Sequence, residues 1–286
     1  MFEPRRILCP VDFSPQSGAA LRVAGGLARA FGAELTVLHA SQLEVPLYFT
    51  VAQVSALKAQ LRKSLRAGRK LLEDFADRHL PQDVARKITV VEEDPVTAIL
   101  RVYKRSRGDL IVMGTHGRTG LSRIRLGSVM ESVFRQVSGP IVTVGPNVKL
   151  PAKLGKIQRV LSLIDFSDLA REAFSYASEV AEKAEGDLIA AHIVEKDETG
   201  SSTQAESALC DWVPAETRNR CMVREVVRRG SPAERVIEVA RNERADLIVQ
   251  GARPRGYWGT LIFGSTTEAV IRGASCPVLS VIRRQA

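Results

Sequence analysis

The first half of the chain alternates short apolar runs with longer stretches in which apolar positions recur at helical spacing. The short runs are rich in valine and isoleucine and continuously apolar, which is typical of strands buried on both faces of a parallel sheet. They predict five strands, at ILCPV (7–11), ELTVLHA (34–40), KITVV (87–91), DLIVMG (109–114) and PIVTVG (140–145). Strand–helix alternation through five strands predicts a doubly wound α/β domain, with ligands at the carboxyl ends of its central strands.

Helix starts are marked by a capping residue followed by proline. Ser14-Pro15 supplies an N-cap and a first-turn proline, and Gly32 is placed to end the same helix. Asp94-Pro95 and Ser231-Pro232 repeat this pattern at equivalent places in the two halves of the chain. These positions predict helices that begin directly after strands, as the doubly wound arrangement requires.

The chain contains two copies of this unit. Four blocks recur in the same order, at 5–14 and 158–167, 33–40 and 186–193, 108–114 and 245–251, and 139–144 and 276–281. The spacing changes after His192, so the second copy is shorter there by about 16 residues. We therefore predict a tandem duplication, with a first repeat at 1–145, a linker at 146–157 and a second repeat at 158–286.

Composition narrows the class of protein. The chain has 286 residues, of which 45% are hydrophobic and 26% charged, which is ordinary globular usage and argues against disorder. No apolar run is long enough to span a membrane, and the first residues lack the apolar stretch of a signal peptide, so we expect a cytoplasmic protein with no membrane insertion. The four cysteines show no zinc-binding spacing, and no metal site is predicted.

The excess of positive charge lies in the first repeat and, through three lysines, in the linker at 146–157. The whole chain carries +9, but residues 1–145 hold 21 basic against 13 acidic side chains, whereas 158–286 hold 17 against 19. With only 5% aromatic residues the chain offers few rings for base stacking. The charge therefore favours a small anionic ligand in the first repeat, and nucleic acid is not the expected partner.

A glycine-rich segment follows the fourth predicted strand. Gly114, Gly117, Gly127 and Ser128 give the pattern G-x2-G-x9-G-S, which leads into an amphipathic helix. Gly114 lets a ligand lie against bare backbone, and Gly117 permits either a positive φ or a close approach. Gly127 and Ser128 open the helix, where free N–H groups and the dipole favour phosphate. The alternative is a glycine-rich loop that binds nothing.

Asp12 closes the first predicted strand. Strands 1 and 4 are neighbours at the switch point of a doubly wound sheet, so Asp12 is expected to face the glycine loop. Its carboxylate could accept from a ribose or base, or help to hold a divalent ion. The alternative role is helix capping, which Ser14 already supplies.

Both halves resemble the universal stress protein family, and the glycine pattern places the first repeat with the ATP-binding branch. The resemblance implies two tandem Rossmann-like domains of the adenine nucleotide alpha hydrolase-like type, each with a five-stranded parallel sheet and helices on both faces. It implies ATP, with Mg²⁺ as a possible companion, bound by Pro10, Asp12, Ala40, Met113, Gly114, Gly117, Gly127, Ser128, Val129 and Met130. It also implies that the last strands, at 143–145 and 277–282, pair within one chain, and that the protein forms a homo-oligomer.

The second repeat departs from the pattern. Asp165, Gly251, Gly264 and Ser265 are retained, but Pro254 replaces the equivalent of Gly117. Proline fixes φ negative and has no N–H to donate, so nucleotide binding is not expected there. This repeat is expected to be a structural partner or to take a different ligand.

The leading hypothesis is a cytoplasmic, nucleotide-dependent stress-response sensor. One alternative is an enzyme that hydrolyses adenine nucleotides or transfers an adenylyl group, and another is a scaffold that binds no nucleotide. No catalytic residue is predicted, because no nucleophile and base are spaced as a triad. His39 and His192 occupy equal positions, which favours a shared role in the fold, and His116 lies inside the glycine loop where it could touch a phosphate.

Overall fold

The computed structural model describes residues 2–41, 51–117, 126–150, 157–195, 201–253 and 264–283, with residues 51–64 as backbone. Each repeat contains five strands alternating with helices. The first repeat comprises β1 (Arg6–Pro10), α1 (Pro15–Phe31), β2 (Glu34–Ser41), α2 (Val51–His79), β3 (Arg86–Glu92), α3 (Pro95–Arg105), β4 (Leu110–Gly114), α4 (Ser128–Gln136) and β5 (Gly139–Val144).

The second repeat follows the same order with one change. It comprises β6 (Arg159–Ile164), α5 (Asp168–Ala184), β7 (Asp187–Val194), α6 (Ser202–Trp212), α7 (Ala215–Arg220), β8 (Val223–Arg229), α8 (Pro232–Asn242), β9 (Leu247–Ala252), α9 (Ser265–Gly273) and β10 (Val278–Ile282). The 29-residue α2 corresponds to two helices of 11 and 6 residues, with Pro214 as the N-cap of the second. The residues missing from the second copy therefore fall between the second and third strands of the repeat, mostly in this helical segment.

The strands form one ten-stranded sheet in the order β3-β2-β1-β4-β5-β10-β9-β6-β7-β8. Strands within each repeat are parallel, as the continuous apolar runs indicate, and the predicted α/β fold of two tandem domains is confirmed. Helices cover both faces. One core contains Leu21 of α1 and Phe174 of α5, and the other contains Met130 of α4 and Val270 of α9, so each core runs through both repeats.

The repeats meet at the antiparallel pair of β5 and β10. Val142 lies opposite Leu279, and these residues occupy the same position in the two repeats. The pairing is thus related by a local twofold axis, like the interface of a symmetric dimer. Thr143 Oγ1 donates to the Val278 carbonyl at 3.2 Å, and the Phe2 ring stacks on Tyr176 of α5 with centroids 4.5 Å apart.

The predicted caps hold at three of four positions. The Ser14 side chain accepts from Ser17 N–H, and Asp94 accepts from Thr97 N–H. Gly32 ends α1 in the left-handed conformation, with φ at 64°. Ser231 occupies the N-cap of α8, but its side chain makes no capping hydrogen bond, so there the proline alone marks the helix start.

An aspartate before the fourth strand of each repeat ties down the start of the first strand. Asp109 Oδ2 accepts from the N–H groups of Arg5 and Arg6, at 2.8 and 3.0 Å. Asp246 Oδ2 accepts in the same way from Gln158 and Arg159, at 2.8 and 2.9 Å. The matching G-D-L and A-D-L sequences therefore include a structural carboxylate.

We expect Asp109→Ala to lower the free energy of unfolding by about 2 kcal/mol, because two backbone donors lose a charged acceptor. Urea denaturation followed by circular dichroism would measure the change. Asp83→Ala is the control, since this exposed carboxylate pairs with Arg29 on the surface and its loss should leave the midpoint nearly unchanged. Equal midpoints for the two variants would contradict the role given to Asp109.

Candidate functional site

A cavity of about 400 Å³ lies at the carboxyl ends of β1, β2 and β4, beside the N-termini of α3 and α4. This is the switch point of the first repeat, where the doubly wound topology predicts a ligand site. Its volume falls within the ordinary range for small-molecule sites. The cavity is lined by Pro10, Val11, Asp12, Ser17, Leu38, Ala40, Pro95, Ile99, Met113, Gly114, Thr115, His116, Gly117, Gly127, Ser128, Val129 and Met130.

All ten residues predicted from the sequence line this cavity. They come from three strand ends and one helix start, so the sheet topology gathers segments that are far apart in the chain. Of the seven other lining residues, the sequence prediction had singled out His116 as a possible phosphate contact and missed six. Leu38 is two positions before Ala40 and shares its face of β2, and Pro95 was recognised only as a helix start. Strand alternation and the α3 cap could therefore have identified both.

The apolar end of the cavity lies between β2 and α3. Leu38, Ala40, Pro95 and Ile99 line it. Val11 N–H donates to the Leu38 carbonyl at 2.8 Å, whereas Glu93 N–H donates to Ser41 on the other side of β2. Because successive residues of a strand direct their backbone groups to alternate sides, the N–H and C=O of Ala40 point past the end of β1. This end offers apolar contact and one backbone donor–acceptor pair.

Gly117 is closely approached by the Asp12 carboxylate, and its φ lies outside the left-handed range. A Cβ at this position would lie 2.8 Å from Asp12 Oδ2, so Asp12 does face the glycine loop as predicted. Of the two reasons offered from the sequence, the positive φ is wrong and the close approach is correct. The same geometry shows that Gly114 is packed against Gln16 of α1, where a Cβ would lie 3.1 Å from the Gln16 Cβ.

The start of α4 forms the polar end of the cavity. Gly127 N–H donates to the Thr115 carbonyl at 2.8 Å, so this N–H is engaged in closing the loop, contrary to the expectation that it opens the helix as a free donor. The N–H groups of Ser128, Val129 and Met130 have no acceptor within the helix. Gly127 provides no side-chain cap, so the donors and the positive end of the dipole face the cavity.

Gly127→Ala should weaken nucleotide binding roughly tenfold, because a Cβ would lie 3.1 Å from the Thr115 carbonyl oxygen and displace the loop. Gly264→Ala is the matched control in the second repeat, where a Cβ would meet no atom of the described residues within 4 Å. Titration calorimetry with ATP measures both. A Gly127→Ala protein that binds as tightly as the Gly264→Ala protein would refute this account of the loop.

Asp12 also stabilises the turn between β1 and α1. Its Oδ1 accepts from Ser14 N–H at 3.0 Å, while Ser14 itself caps α1. Asp165 repeats the contact with Ser167 N–H at 3.0 Å. The retention of this aspartate in both repeats therefore has a structural reason, and in the first repeat its Oδ2 also approaches Gly117.

His39 and His192 serve the fold in the same way. The Nδ1 of His39 lies 2.7 Å from the Val11 carbonyl, and the Nδ1 of His192 lies 2.9 Å from the Ile164 carbonyl. Each ring packs on the phenylalanine of the D-F-S turn, with centroids 4.5 and 4.4 Å apart. Those residues, Phe13 and Phe166, adopt φ values of 64° and 60°. The histidines therefore cover a strained turn in both repeats.

Comparison with known proteins agrees with this architecture. A sequence model of the universal stress protein family matches residues 3–145 and 156–281. The chain belongs to the universal stress protein family. A universal stress protein from Mycolicibacterium smegmatis is 28% identical over 301 residues, which covers 96% of each chain. One from Methanocaldococcus jannaschii is 30% identical over 146 residues, covering 49% of this chain and 81% of the relative.

Solved structures share the fold. A universal stress protein from Archaeoglobus fulgidus superposes with a TM-score of 0.70 at 24% identity, covering 98% of both chains. A Pseudomonas aeruginosa protein described as a putative universal stress protein gives 0.61 at 18% identity, covering 98% of this chain and 93% of that one. These likenesses establish the two-repeat architecture.

In this universal stress protein, the second repeat has different side chains at the position equivalent to the cavity of the first repeat. Buried Gln250 stands where the first repeat has Met113, and its Nε2 donates to the Thr267 carbonyl and to Ser280 Oγ, each at 3.4 Å. A Cβ on Gly251 would lie 2.7 Å from Leu169. Pro254 and the arginines of the first glycine loop, Arg118, Arg123 and Arg125, lie outside the described residues.

The cysteine side chains are free thiols, and two of them are buried. Cys9, Cys210, Cys221 and Cys276 are free. Burial raises the pKa of the Cys9 thiol far above its usual range and that of Cys276 to about 12, so both thiols stay protonated at neutral pH. Within the described ranges, no three His, Cys, Asp or Glu side chains are grouped to hold a metal ion, and no helix is long and apolar enough to cross a membrane.

Proposed function

We propose that the first repeat binds ATP and that the protein acts as a cytoplasmic nucleotide-dependent regulator of the stress response. The observation that carries the proposal is the convergence of the ten predicted residues on one cavity with an uncapped helix N-terminus at its end. Membership of the universal stress protein family supports this regulatory role, and the geometry of the site gives ATP binding a physical basis.

The two ends of the cavity suit the two ends of the nucleotide. The donors of Ser128, Val129 and Met130 suit phosphate oxygens, and the excess of basic residues in this repeat adds attraction. The apolar end suits a purine ring, and the backbone pair of Ala40 matches the acceptor and amino donor on the edge of adenine. Asp12 would accept from a ribose hydroxyl or ligate a Mg²⁺ that accompanies the phosphates.

Binding is proposed in preference to rapid turnover. Of the described residues that line the cavity, Asp12 and His116 are the titratable ones, and Asp12 Oδ1 is already engaged by Ser14 N–H. Hydrolysis, if measured, should be slow. The second repeat, at 158–286, would act as the structural partner of the first, at 1–145, and residues 146–157 would join them. The protein is also proposed to form homo-oligomers.

Extraction of the purified protein tests this directly. The protein is purified without added nucleotide, denatured, and the supernatant is separated by chromatography and quantified against total chain. We expect adenine nucleotide at no more than one per chain, and saturable ATP binding after its removal. Absence of both would favour the scaffold alternative, and sustained multiple turnover at ordinary enzymatic rates would favour the enzyme.

A further inference from the structure

Helix α2 follows the edge strand β3 closely over its last turns. A Cβ on Gly68 would lie 3.5 Å from Val90 Cγ1, and Asp77 forms an ion pair with Arg86. Between these two contacts the helix advances nine residues, about 13.5 Å, and the strand four residues, about 13 Å. The equal lengths mean that α2 runs antiparallel to β3, with its axis nearly aligned to the strand.

The first turns of α2 extend past the end of the sheet. From Gly68 back to Val51 the helix rises about 26 Å, whereas β3 ends at Glu92, only about 7 Å beyond Val90. The helix backbone therefore projects about 19 Å beyond the carboxyl edge of the sheet. We call residues 51–67 the α2 arm.

The α2 arm has no counterpart in the second repeat. The equivalent helix there, α6, has 11 residues against 29 in α2, and the second copy is shorter by about 16 residues in this part of the chain. Helix α6 carries the acidic residues Glu206 and Asp211 and no basic residue. Because the second repeat completes its sheet without such an arm, the α2 arm is not needed to build the fold.

The sequence of the arm combines an apolar row with strong positive charge. Apolar residues recur at helical spacing, at Val54, Leu57, Leu61 and Leu65. The same row continues into the core at Leu72. Residues 51–72 contain no acidic residue and six basic ones, Lys58, Arg62, Lys63, Arg66, Arg69 and Lys70. This composition is that of an amphipathic helix with a cationic polar face.

The base of the arm presents the same combination at its surface. Arg66 and Lys70 are exposed, and the neighbouring Leu71 is 60% exposed. Arg69 is exposed as well and pairs with Glu73 at 2.9 Å, a surface contact that holds the side chain only weakly. Exposed cations beside an exposed leucine suit a partner that is anionic at its surface and apolar beneath.

We propose that the α2 arm docks on an anionic phospholipid surface and lies in the headgroup region of one leaflet. Helices that bind there have an apolar row flanked by lysine and arginine, and anionic headgroups attract the cations. The arm of a second copy would carry the same positive charge and be repelled. Nucleic acid would use the cations but not the leucine row. This inference goes beyond the proposed function and does not depend on the ATP site.

Vesicle sedimentation tests the proposal on the full chain. Vesicles of phosphatidylcholine with about 30% phosphatidylserine should bind the protein, with affinity that falls as salt is added and is about tenfold weaker without phosphatidylserine. Arg62→Gln with Arg66→Gln should weaken binding roughly 25-fold, because each basic residue near such a surface adds about fivefold. Arg241→Gln with Arg244→Gln makes the same charge change on exposed residues of the second repeat and should bind like wild type.

Two further measurements examine the arm itself. On the anionic vesicles, the amides of residues 51–67 should exchange hydrogen more slowly than in the free protein, while those of α6 should be unchanged. Leu57→Gln with Leu61→Gln keeps the charge and should weaken vesicle binding about tenfold. Circular dichroism shows whether this leucine variant is folded, and the arginine variants decide the matter if it is not.

Several outcomes would overturn the proposal. Equal binding to both kinds of vesicle would remove the role of charge, and equal binding by the Arg62/Arg66 variant and its control would place the contact elsewhere. Unchanged exchange in the arm, or full vesicle binding by a folded Leu57/Leu61 variant, would refute it too. Absence of vesicle binding, together with duplex DNA binding that the Arg62/Arg66 variant loses, would instead assign the arm to nucleic acid.

Discussion

We expect Gly117→Pro to abolish ATP binding to the first repeat, with a loss of roughly 100-fold or more in affinity. Any side chain at this position places a Cβ 2.8 Å from Asp12 Oδ2, so the Asp12 carboxylate, which lines the cavity, has to move. Proline also removes a backbone N–H that borders the cavity. The substitution copies the residue that the second repeat carries at Pro254, so the chain itself supplies the comparison. Titration calorimetry on nucleotide-free protein gives the affinity.

Gly117→Ala separates the two causes, because it keeps the N–H and introduces only the Cβ. We expect an intermediate loss, and the thermal midpoint of the free protein should change little, since Gly117 is exposed and ends no helix or strand. Gly264→Ala again serves as the control, because its Cβ contacts no residue in the part of the chain that the structure describes. Unchanged ATP affinity in Gly117→Pro would remove the explanation for the altered second loop.

The second large effect concerns the antiparallel pair of β5 and β10 that joins the two repeats. Val142→Asp should lower the free energy of unfolding by about 4 kcal/mol or more, because it places an unpaired carboxylate where Val142 is fully buried against Leu279. The two cores run through both repeats, so the wild-type protein should unfold in a single calorimetric transition. The variant should show two transitions or aggregate through its exposed strand edges.

Lys87→Asp provides the control for charge and strand position. Lys87 is exposed on β3, an edge of the sheet, and its replacement should move the midpoint little. Leu279→Asp should behave like Val142→Asp, since the two residues face each other across the local twofold axis. A Val142→Asp protein as stable as the Lys87→Asp protein would mean that the repeats do not depend on this pairing.

Much of the fold was predictable because its signals are local. Continuous Val- and Ile-rich runs indicate buried parallel strands, and Ser14-Pro15 and Asp94-Pro95 mark helix starts with a physical mechanism. The repeated blocks then fix the topology of one half from that of the other. Asp12, Gly114, Gly117, Gly127 and Ser128 could be singled out from the glycine pattern and the strand order. The family resemblance supplied Pro10, Ala40, Met113, Val129 and Met130.

The parts that escaped prediction depend on distant contacts. The sheet topology predicts that Asp12 faces the glycine loop, but the sequence does not give the close approach of Asp12 to Gly117, and nothing marks Gly114 as a contact of α1. The left-handed Phe13 and Phe166 are unusual for aromatic residues, and their histidine partners come from the next strand. The engagement of Gly127 N–H by Thr115 likewise arises from tertiary closure of the loop.

The pairing of β5 with β10 within one chain has a consequence for how the two binding loops are inherited. Two separate, identical chains must carry every substitution twice, so a symmetric dimer cannot alter one site and keep the other. Here one polypeptide encodes both halves, and the loop with Gly117 and the loop with Pro254 are always delivered together. The two loops are therefore present in a one-to-one ratio at any protein concentration. The covalent link keeps the partner repeat at high local concentration, so no encounter between separate molecules is needed.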